Sequence, residues 1–115
     1  MRLKAGIWIA AYLRQLNAIP VAAAVTRRGD GDAGAIFIKI STLDGFAHIL
    51  RPAATGMAGA ESDRYWSMAF PSERSEESKA DAYLARQAGF DPDVWVIEVE
   101  DRRGRHFLDD YLINE

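Results

Sequence analysis

The stretch from Phe90 to Gly104, FDPDVWVIEVEDRRG, constrains the fold most, because a turn, a strand and a second turn follow one another directly. The Asp-Pro-Asp triplet at 91–93 is a turn signal, since proline fixes one backbone angle and the flanking carboxylates can bond their own backbone. Within residues 94–99 only Glu98 is not apolar, which is typical of a strand covered on at least one face. Residues 101–104 then have the composition of a type I turn with glycine at its last position.

Side chains of this predicted strand alternate between the two faces of a sheet. One face, which we predict to be core, holds three large apolar side chains: Trp95, Ile97 and Val99. The other face holds two valines and two carboxylates: Val94, Val96, Glu98 and Glu100. This second face is therefore predicted to become more solvated toward the end of the strand.

The rest of the chain predicts two helices and four further strands. Apolar residues at helical spacing run from Ala5 to Ile19, and Pro20 ends this first helix. The second helix is predicted to begin at Ser72 or Ser75 and to end at Gly89 in a left-handed cap, against which Phe90 packs. The other predicted segments are strands over residues 21–27, 35–41, 46–51 and 64–70, and a short return over residues 105–108.

Short connections between the strands favour antiparallel neighbours. The predicted fold class is α+β: a single, mostly antiparallel sheet of about five strands with two helices on one face, in the order α-β-β-β-β-α-β. With 115 residues, the chain is predicted to be a single α+β domain, 1–115. It contains no cysteine, which excludes disulfides and a cysteine nucleophile and agrees with a cytoplasmic location. No apolar run approaches membrane-spanning length, so no membrane partner is predicted.

A glycine-rich segment, residues 29–34, matches the G-x-G-x-x-G pattern of dinucleotide-binding proteins. That pattern must open a helix, whereas a strand follows here, and two aspartates in the segment would repel phosphate groups. We predict a hairpin loop and no cofactor. A calcium loop that begins at Asp30 is not favoured either, because Ser41 stands where the bidentate glutamate is needed.

Four acidic residues and two histidines are the remaining candidates for chemistry. A zinc site at His106 with Asp109 and Asp110 is not favoured, since a lone histidine on a strand is more often a half-buried polar residue. Glu98 and Glu100 project from one face of a strand, a geometry that can hold Mg²⁺ or serve as an acid and base pair. A solvated strand face is the favoured interpretation, so we predict no catalytic residue and no metal ligand.

Charge is distributed unevenly along the chain. Residues 1–60 carry seven basic against three acidic residues, and residues 61–115 carry seven basic against fourteen acidic ones. Two compact basic groups lie at strand ends and can hold phosphate or a partner's carboxylates: Arg27-Arg28 and Arg102-Arg103-Gly104-Arg105. Trp66, in the segment Arg64-Tyr65-Trp66, adds an aromatic ring that can stack on bases. Nucleic-acid binding is not favoured, however, because the net charge of the chain is −3.

Four segments of the chain resemble one known family: MRLKAGIWIAAYLR, GDAGAIFIKI, DRYW and FDPDVWVIEVEDRRGRHFLD. Together they span nearly the whole chain, and they are similar to an uncharacterised family of small alphaproteobacterial proteins known as a domain of unknown function. The resemblance implies a stand-alone soluble bacterial protein of this length. It implies no activity, cofactor or catalytic residue.

The favoured functional hypothesis is a small non-enzymatic binding or adaptor protein of the bacterial cytosol. The alternatives are a metal-dependent hydrolase or nuclease-like enzyme that uses Glu98 and Glu100, or a weak nucleic-acid-binding protein that uses Arg102, Arg103 and Arg105. A protein partner or a weak, salt-sensitive homodimer is predicted, because two helices on one face would leave the second sheet face uncovered. The candidate interaction residues are Arg27, Arg28, Phe37, Trp66, Val94, Val96, Arg102, Arg103 and Arg105.

Overall fold

The computed structural model describes residues 3–54, 64–70 and 74–114, which form two α-helices, six strands and a 3₁₀-helix. In chain order these are α1 (Ala5–Ala18), β1 (Ala22–Arg27), β2 (Ile36–Ser41), β3 (Phe46–Pro52), β4 (Trp66–Met68), β5 (Ser75–Glu76), α2 (Glu77–Phe90), β6 (Trp95–Glu100) and the 3₁₀-helix Asp109–Tyr111. The α+β class and the approximate order of elements are confirmed. The two-residue strand β5 was not predicted, and β4 is shorter than its predicted range.

The strands form one mixed, mostly antiparallel sheet in the order β1-β6-β2-β3-β4, with β5 paired to β3. β2 and β6 are parallel, and the other pairs are antiparallel. Because β6 lies between β1 and β2, the predicted hairpin between these two strands is wrong. The connection between them crosses the start of β6, where the Asp30 N–H donates to the Asp93 carbonyl at 2.9 Å and Trp95 Nε1 donates to the Asp30 carbonyl at 2.7 Å.

The glycine-rich segment serves this crossing and the start of α1. A Cβ atom at Gly29 or Gly34 would clash with the Asp93 carbonyl oxygen, so only glycine allows the loop to pass so close to β6. The carbonyls of Gly31 and Asp32 accept the first helical N–H groups of α1, at 2.9 and 3.1 Å. The segment therefore provides a backbone cap for α1, whose first N–H groups have no partner within the helix.

The two helices lie on opposite faces of the sheet, so the prediction that both pack on one face is wrong. α1 covers one face and forms the α1-face core, which consists of Ala5, Ile9, Tyr12, Leu16, Val21, Ile36, Ile38, Ile40, Leu50, Trp66, Trp95, Ile97, Val99 and Leu108. α2 covers the other face and forms the smaller α2-face core, which consists of Phe37, Ala47, Ile49, Ala80, Leu84, Val94 and Val96. The predicted core face of β6 is confirmed. On the opposite face Val94 and Val96 are buried under α2, whereas Glu98 is half-buried and Glu100 is exposed, so this face becomes more solvated toward the end of the strand, as predicted.

The boundaries of α2 differ from those predicted. Ser75 belongs to β5, and Ser72 lies outside the described residues. Gly89 lies inside the helix, which ends at Phe90 and is followed by Asp91 in an extended conformation, so the predicted left-handed cap is wrong. Phe90 is 80% exposed and does not pack back on the last turn.

The tight turn after β6 is confirmed. The Gly104 N–H donates to the Asp101 carbonyl at 2.9 Å, and Gly104 has a φ of 71°, which glycine adopts without strain. Residues 105–108 are not a strand. The chain instead crosses the α1 face and runs beside β4, where the Ile113 N–H donates to the Trp66 carbonyl at 2.9 Å.

Within the described part of the chain, no helix has the length and apolar character needed to cross a membrane.

Candidate functional site

A groove between α1 and residues 107–111 is the candidate binding site. Its volume is about 460 Å³. Its walls include five aromatic rings, those of Trp8, Tyr12, Trp66, Phe107 and Tyr111. Arg64, Gln15 and Asp110 add polar groups to the lining. We call this feature the aromatic groove.

Two of the rings have their polar atoms bonded within the protein. The Tyr12 hydroxyl donates to the His106 carbonyl at 2.9 Å, and Trp66 Nε1 donates to the Ile36 carbonyl at 3.0 Å. Burial raises the pKa of Tyr12, so its hydroxyl stays protonated. Trp8 stacks on the Tyr12 ring and meets the Trp66 ring at a tilt of 42°, with centroid distances of 4.9 Å to each. The groove therefore has a fixed aromatic wall built on α1 and β4.

Other polar groups of the groove remain available to a ligand. Among the described residues, nothing bonds to the Trp8 indole N–H, the Gln15 amide or the Asp110 carboxylate. Arg64 is engaged, because its Nη1 donates to the Leu3 carbonyl at 2.7 Å. A planar molecule in the groove would thus meet ring faces together with hydrogen-bonding groups that have no protein partner among the described residues.

The backbone of Phe107 has a φ of 61°, in the left-handed region. This conformation costs a non-glycine residue roughly 1–2 kcal/mol, because its Cβ approaches its own carbonyl oxygen. Strained residues of this kind concentrate at binding sites, where the surrounding structure holds them in place. The sharp change of direction at Phe107 takes the chain along the wall of the groove.

The two histidines lie beneath one end of the α1-face core and do not form a metal site. His106 Nδ1 accepts the Leu108 N–H at 3.0 Å, so the ring proton is on Nε2, which lies 3.9 Å from Asp109 Oδ1. A protonated Nε2 cannot coordinate zinc. No group of three or more potential metal ligands occurs among the described residues.

The environment disfavours the charged form of both histidines. Burial lowers the pKa of His48, and the nearby Arg74 lowers it further. Burial also lowers the pKa of His106; the Asp109 carboxylate opposes that effect, and His48 adds to it. His48 Nδ1 is buried without a hydrogen-bond partner among the described residues. Both rings are therefore neutral near pH 7.

A buried lysine occupies the other side of the sheet and was missed by the sequence analysis. Lys39 is only 4% exposed, and its Nζ lies 2.7 Å from Asp81, 2.8 Å from Glu77 and 3.5 Å from Glu98. Burial acts to lower the pKa of Lys39, but the hydrogen bonds to Asp81 and Glu77 and the charge of Glu98 outweigh it and raise that pKa. A charged residue inside the apolar run IFIKI was the available signal, since a buried lysine requires partners.

This lysine bears on the alternative enzymatic hypothesis. Glu98 is half-buried beside Lys39, whereas Glu100 is exposed at the end of β6. A cation from the protein itself already neutralises the position where a divalent ion would have to bind. The arrangement therefore favours a structural role for Glu98.

Several predicted interaction residues are core residues. Phe37, Val94 and Val96 are each less than 8% exposed in the α2-face core, so the prediction that they form an uncovered surface is wrong. The reason is that α2 packs on that face. Trp66 is 1% exposed, and its burial in the α1-face core prevents the predicted stacking on bases.

The arginines fall into two groups at opposite ends of β6. Arg27 and Arg28 lie near its start, where Arg27 donates to the Pro92 carbonyl at 3.1 Å and the Arg28 guanidinium lies 5.6 Å from the Trp95 ring centre. The other group follows the end of the strand and consists of Arg102, Arg103 and Arg105. A six-residue strand separates the groups by roughly 17–20 Å, so they do not form one phosphate-binding surface.

One arginine of the second group is tied to the turn. Arg105 bonds both carboxylate oxygens of Asp101, with Nε–Oδ2 at 3.0 Å and Nη2–Oδ1 at 2.8 Å. Hydrogen bonds from Arg105 lower the pKa of Asp101 to about 2. Arg102 and Arg103 are exposed on the same turn. Arg105 thus stabilises the turn.

Apart from Trp66, which was predicted as an interaction residue, the groove residues were not predicted as a site. Trp8 and Tyr12 belong to the first helix, while Phe107 and Tyr111 come from the far end of the chain. No local spacing connects them. No role was assigned to Trp8, Phe107 or Tyr111 from the sequence.

Comparisons with known proteins give a family. A model described as "Protein of unknown function (DUF1491)" matches residues 3–109. No curated protein matches the chain.

Three solved structures are similar to the chain over most of its length. The crystal structure of a DUF1491 family protein from Caulobacter crescentus CB15 is 36% identical, with a TM-score of 0.79, and covers 99% of this chain and 100% of that one. An NMR structure of a DUF1491 family protein from the same organism is 37% identical, with a TM-score of 0.79 and 99% of each chain covered. The solution structure of a protein from A. tumefaciens is 33% identical, with a TM-score of 0.73. The match covers 87% of this chain and 86% of that one. These relatives are alphaproteobacterial, as the sequence resemblance predicts.

Proposed function

The chain belongs to the DUF1491 family, and we propose that it is a small non-enzymatic binding protein whose ligand site is the aromatic groove. The observation that carries this proposal is a cavity of about 460 Å³ lined by aromatic rings, of which Trp8, Phe107 and Tyr111 are accessible, whereas Tyr12 and Trp66 are almost fully buried. Sites for small molecules usually have volumes of about 300–1,000 Å³ and combine apolar walls with a few polar groups. The groove falls within this range.

The wall chemistry supports a planar aromatic ligand. Ring faces attract other rings in stacked or edge-to-face arrangements, each worth roughly 0.5–1.5 kcal/mol beyond burial of their area. Trp8 is half-buried, and its ring lines the groove. Its indole N–H has no hydrogen-bond partner among the described residues. Asp110 contributes an exposed carboxylate. The ligand class is therefore a flat ring that carries a cationic or hydrogen-donating group.

Preorganisation also supports the proposal. The Tyr12 and Trp66 rings are held by buried hydrogen bonds to main-chain carbonyls, and Phe107 is held in a left-handed conformation. A site whose walls are already ordered avoids the cost of ordering them when a ligand binds.

Other parts of the sequence hypothesis stay predictions. A cytoplasmic location is proposed from the cysteine-free composition. A weak homodimer is proposed from the uneven charge, although the sheet face first assigned to it is covered by α2. Arg102 and Arg103 are the residues through which a weak nucleic-acid interaction would act, but the net charge of −3 does not favour it.

The three tryptophans allow a direct test of the proposed site by NMR. Each gives one indole N–H resonance in a ¹H–¹⁵N spectrum, and Trp8 and Trp66 line the groove whereas Trp95 does not. Tryptamine, a planar ring with an ammonium group, is a suitable probe. We expect its titration to about 1 mM, in the range of weak ligand affinities, to shift the Trp8 and Trp66 resonances and to leave Trp95 in place.

Two variants complete this experiment. Trp8→Ala removes part of the wall and is expected to abolish the shift of Trp66. Phe90→Ala is the matched control, because Phe90 is an aromatic residue that is 80% exposed away from the groove. Equal shifts of all three indoles, or shifts that survive Trp8→Ala in a folded protein, would contradict the proposal.

A further inference from the structure

One wall of the aromatic groove is a segment that is fastened at both ends. We call residues 106–111 the wall segment. Before it, Arg105 bonds both carboxylate oxygens of Asp101, at 3.0 and 2.8 Å. After it, the Ile113 N–H donates to the Trp66 carbonyl of β4 at 2.9 Å. The pKa of Asp101 is about 2, so neither attachment changes near neutral pH, and a change within the wall segment stays local.

His106 holds the start of the wall segment with its main chain and with its ring. Its carbonyl accepts the Tyr12 hydroxyl of α1 at 2.9 Å. Its Nδ1 accepts the Leu108 N–H at 3.0 Å. Phe107, between these two contacts, has a φ of 61°, a conformation that persists in a non-glycine residue only when its surroundings impose it. The ring of His106 is thus one of the restraints that keep Phe107 against the groove.

The bond to Leu108 requires one protonation state of the ring. A main-chain N–H only donates, so Nδ1 must carry a lone pair and the neutral ring holds its proton on Nε2. A second proton from solvent therefore has to bind at Nδ1. It would face the Leu108 N–H, and two donors cannot bond each other. His106 is 8% exposed, so water cannot take over as acceptor unless the segment moves.

The charges around the His106 ring come from several elements. Asp109, in the wall segment itself, has a carboxylate oxygen 3.9 Å from Nε2. His48 of β3 faces the ring, and Arg74, directly before β5, lies near His48. The Tyr12 hydroxyl of α1 is neutral. Burial lowers the pKa of His106, the Asp109 carboxylate opposes this, and His48 adds to it, so the ring gains its second proton below pH 6.5.

We infer that His106 is a pH-sensitive latch on the aromatic groove: a proton on Nδ1 breaks the bond to Leu108 and frees the wall segment to move, which opens the groove. Phe107 then relaxes out of the left-handed region, and the charged ring turns toward the Asp109 carboxylate. The release concerns the protein alone, whereas its effect on a ligand rests on the proposed function. A ligand that needs the closed wall is released by acid and in turn resists protonation of His106, because such coupling is reciprocal.

An NMR titration of the ligand-free chain from about pH 7.5 to 5, the range in which histidines switch, tests the release. We expect the Leu108 amide to shift, and the order parameters of residues 107–110 to fall, with the same midpoint as the His106 ring. The amides of β6 and Ile113 should stay unchanged. A Leu108 amide that ignores the ring titration would overturn the latch. Global unfolding before or together with the ring titration would overturn it as well.

Two histidine variants identify the ring responsible. His106→Asn keeps an acceptor, since an asparagine side chain bonds the N–H two residues on, but it cannot titrate. Its wall segment is expected to be insensitive to pH. His48→Gln is the matched control and should keep the response with a midpoint no lower, because His48 acts to lower the pKa of His106. A response that persists in His106→Asn, or that vanishes only in His48→Gln, would contradict the assignment.

The affinity for tryptamine measures the effect on the groove. Its ammonium group, like that of lysine, stays charged over this pH range. If only the closed form binds, the apparent Kd doubles at the midpoint and rises about tenfold one pH unit below it. In His106→Asn the Kd should stay constant.

The outcomes separate the latch from the ligand site. Equal tryptamine affinity at about pH 7.5 and at a pH where His106 is protonated would overturn the latch and leave the proposed function in place. Absence of tryptamine binding at every pH would contradict the proposed function, and the ligand-free titration then decides the latch by itself.

Discussion

The two faces of the sheet are closed in different ways. On the α1 face, fourteen buried side chains include three large rings and no charged group. On the α2 face, seven smaller buried side chains are followed along β2 by Lys39, whose ammonium group is enclosed by three carboxylates. The comparison teaches that a charged residue can complete the burial of a sheet face when the covering helix supplies its partners.

The source of those partners explains the difference. α2 buries only Ala80 and Leu84, and its first turns supply Glu77 and Asp81 to Lys39. The apolar stem of a lysine can cover a sheet while its head reaches polar groups. α1 buries four residues, among them Tyr12 and Leu16, and needs no such help. The α1 face is therefore stabilised mainly by apolar burial, and the α2 face partly by ion pairs.

The largest expected effect tests the apolar side of this comparison. Trp95→Ala removes a ring that is 4% exposed in the α1-face core and is expected to lower the free energy of unfolding by about 3–5 kcal/mol. Val96→Ala, the next residue along β6 but on the α2 face, is expected to cost less because it removes fewer buried atoms. Urea titration measures both. A cost under about 1 kcal/mol for Trp95→Ala would contradict the assignment of the faces.

The second effect tests the ionic side. Lys39→Met keeps an apolar stem but leaves three carboxylates without their cation, and we expect a loss of about 1–3 kcal/mol. The loss is below that for fully buried pairs, because water still reaches the carboxylates, whose side chains are 27–58% exposed.

A matched background separates charge repulsion from packing in this variant. Adding Asp81→Asn and Glu77→Gln to Lys39→Met removes two of the repelling charges and should recover most of the lost stability in urea titration. If Lys39→Met alone were as stable as the unmodified protein, the α2 face would not depend on the ion pairs.

The sequence predicted the elements well and their arrangement less well. Alternation along residues 94–99 identifies two faces of a strand, but it cannot tell which helix covers each face. Short connections favour neighbouring strands, yet the eight residues from Arg28 to Ala35 suffice to step over β6. The insertion of β6 between β1 and β2 depends on residues about 60 positions away in the sequence, which no local pattern encodes.

The candidate site was harder to predict than the fold. The aromatic groove joins Trp8 and Tyr12 to Phe107 and Tyr111, and only the path of the C-terminal segment across the α1 face brings them together. Conversely, Val94 and Val96 were predicted as surface because the strand pattern gave no sign of α2 above them. No local pattern in the sequence indicates that Trp8, Phe107 and Tyr111 stay partly exposed while Tyr12 and Trp66 are buried.

A smaller effect concerns the response of the two faces to pH. The polar end of the α1 face contains His48 and His106, whose pKa values in the folded protein lie below the ordinary value of 6.5. The unfolded chain therefore binds these protons at higher pH than the folded protein does. The contribution of the two neutral histidines to the free energy of unfolding is fully present above pH 6.5. It is expected to be lost as the pH decreases through the lowered pKa values.

Urea titrations between pH 7 and pH 5 measure this slope, away from the pKa of Asp101 at about 2. His106→Asn retains an acceptor for the Leu108 N–H and cannot titrate, so it is expected to flatten the slope. Asp101→Asn is the control that should leave the slope in this window unchanged. An equal slope in His106→Asn and in the unmodified protein would show that His106 does not cause the pH dependence of stability.

The smallest expected effect sharpens the comparison at the weaker helix. Gly89 lies inside the last turn of α2, its φ is not positive, and a Cβ atom built there meets nothing within 4 Å. Gly89→Ala is therefore expected to stabilise the protein by about 0.5–1 kcal/mol, because glycine loses more backbone entropy in a helix than alanine does. Gly104→Ala is the contrasting variant, since Gly104 has a φ of 71° and its added Cβ would lie 3.3 Å from the His48 ring. Thermal and urea unfolding should move in opposite directions for the two variants; a destabilising Gly89→Ala would place a left-handed cap at Gly89 after all and end α2 before Phe90.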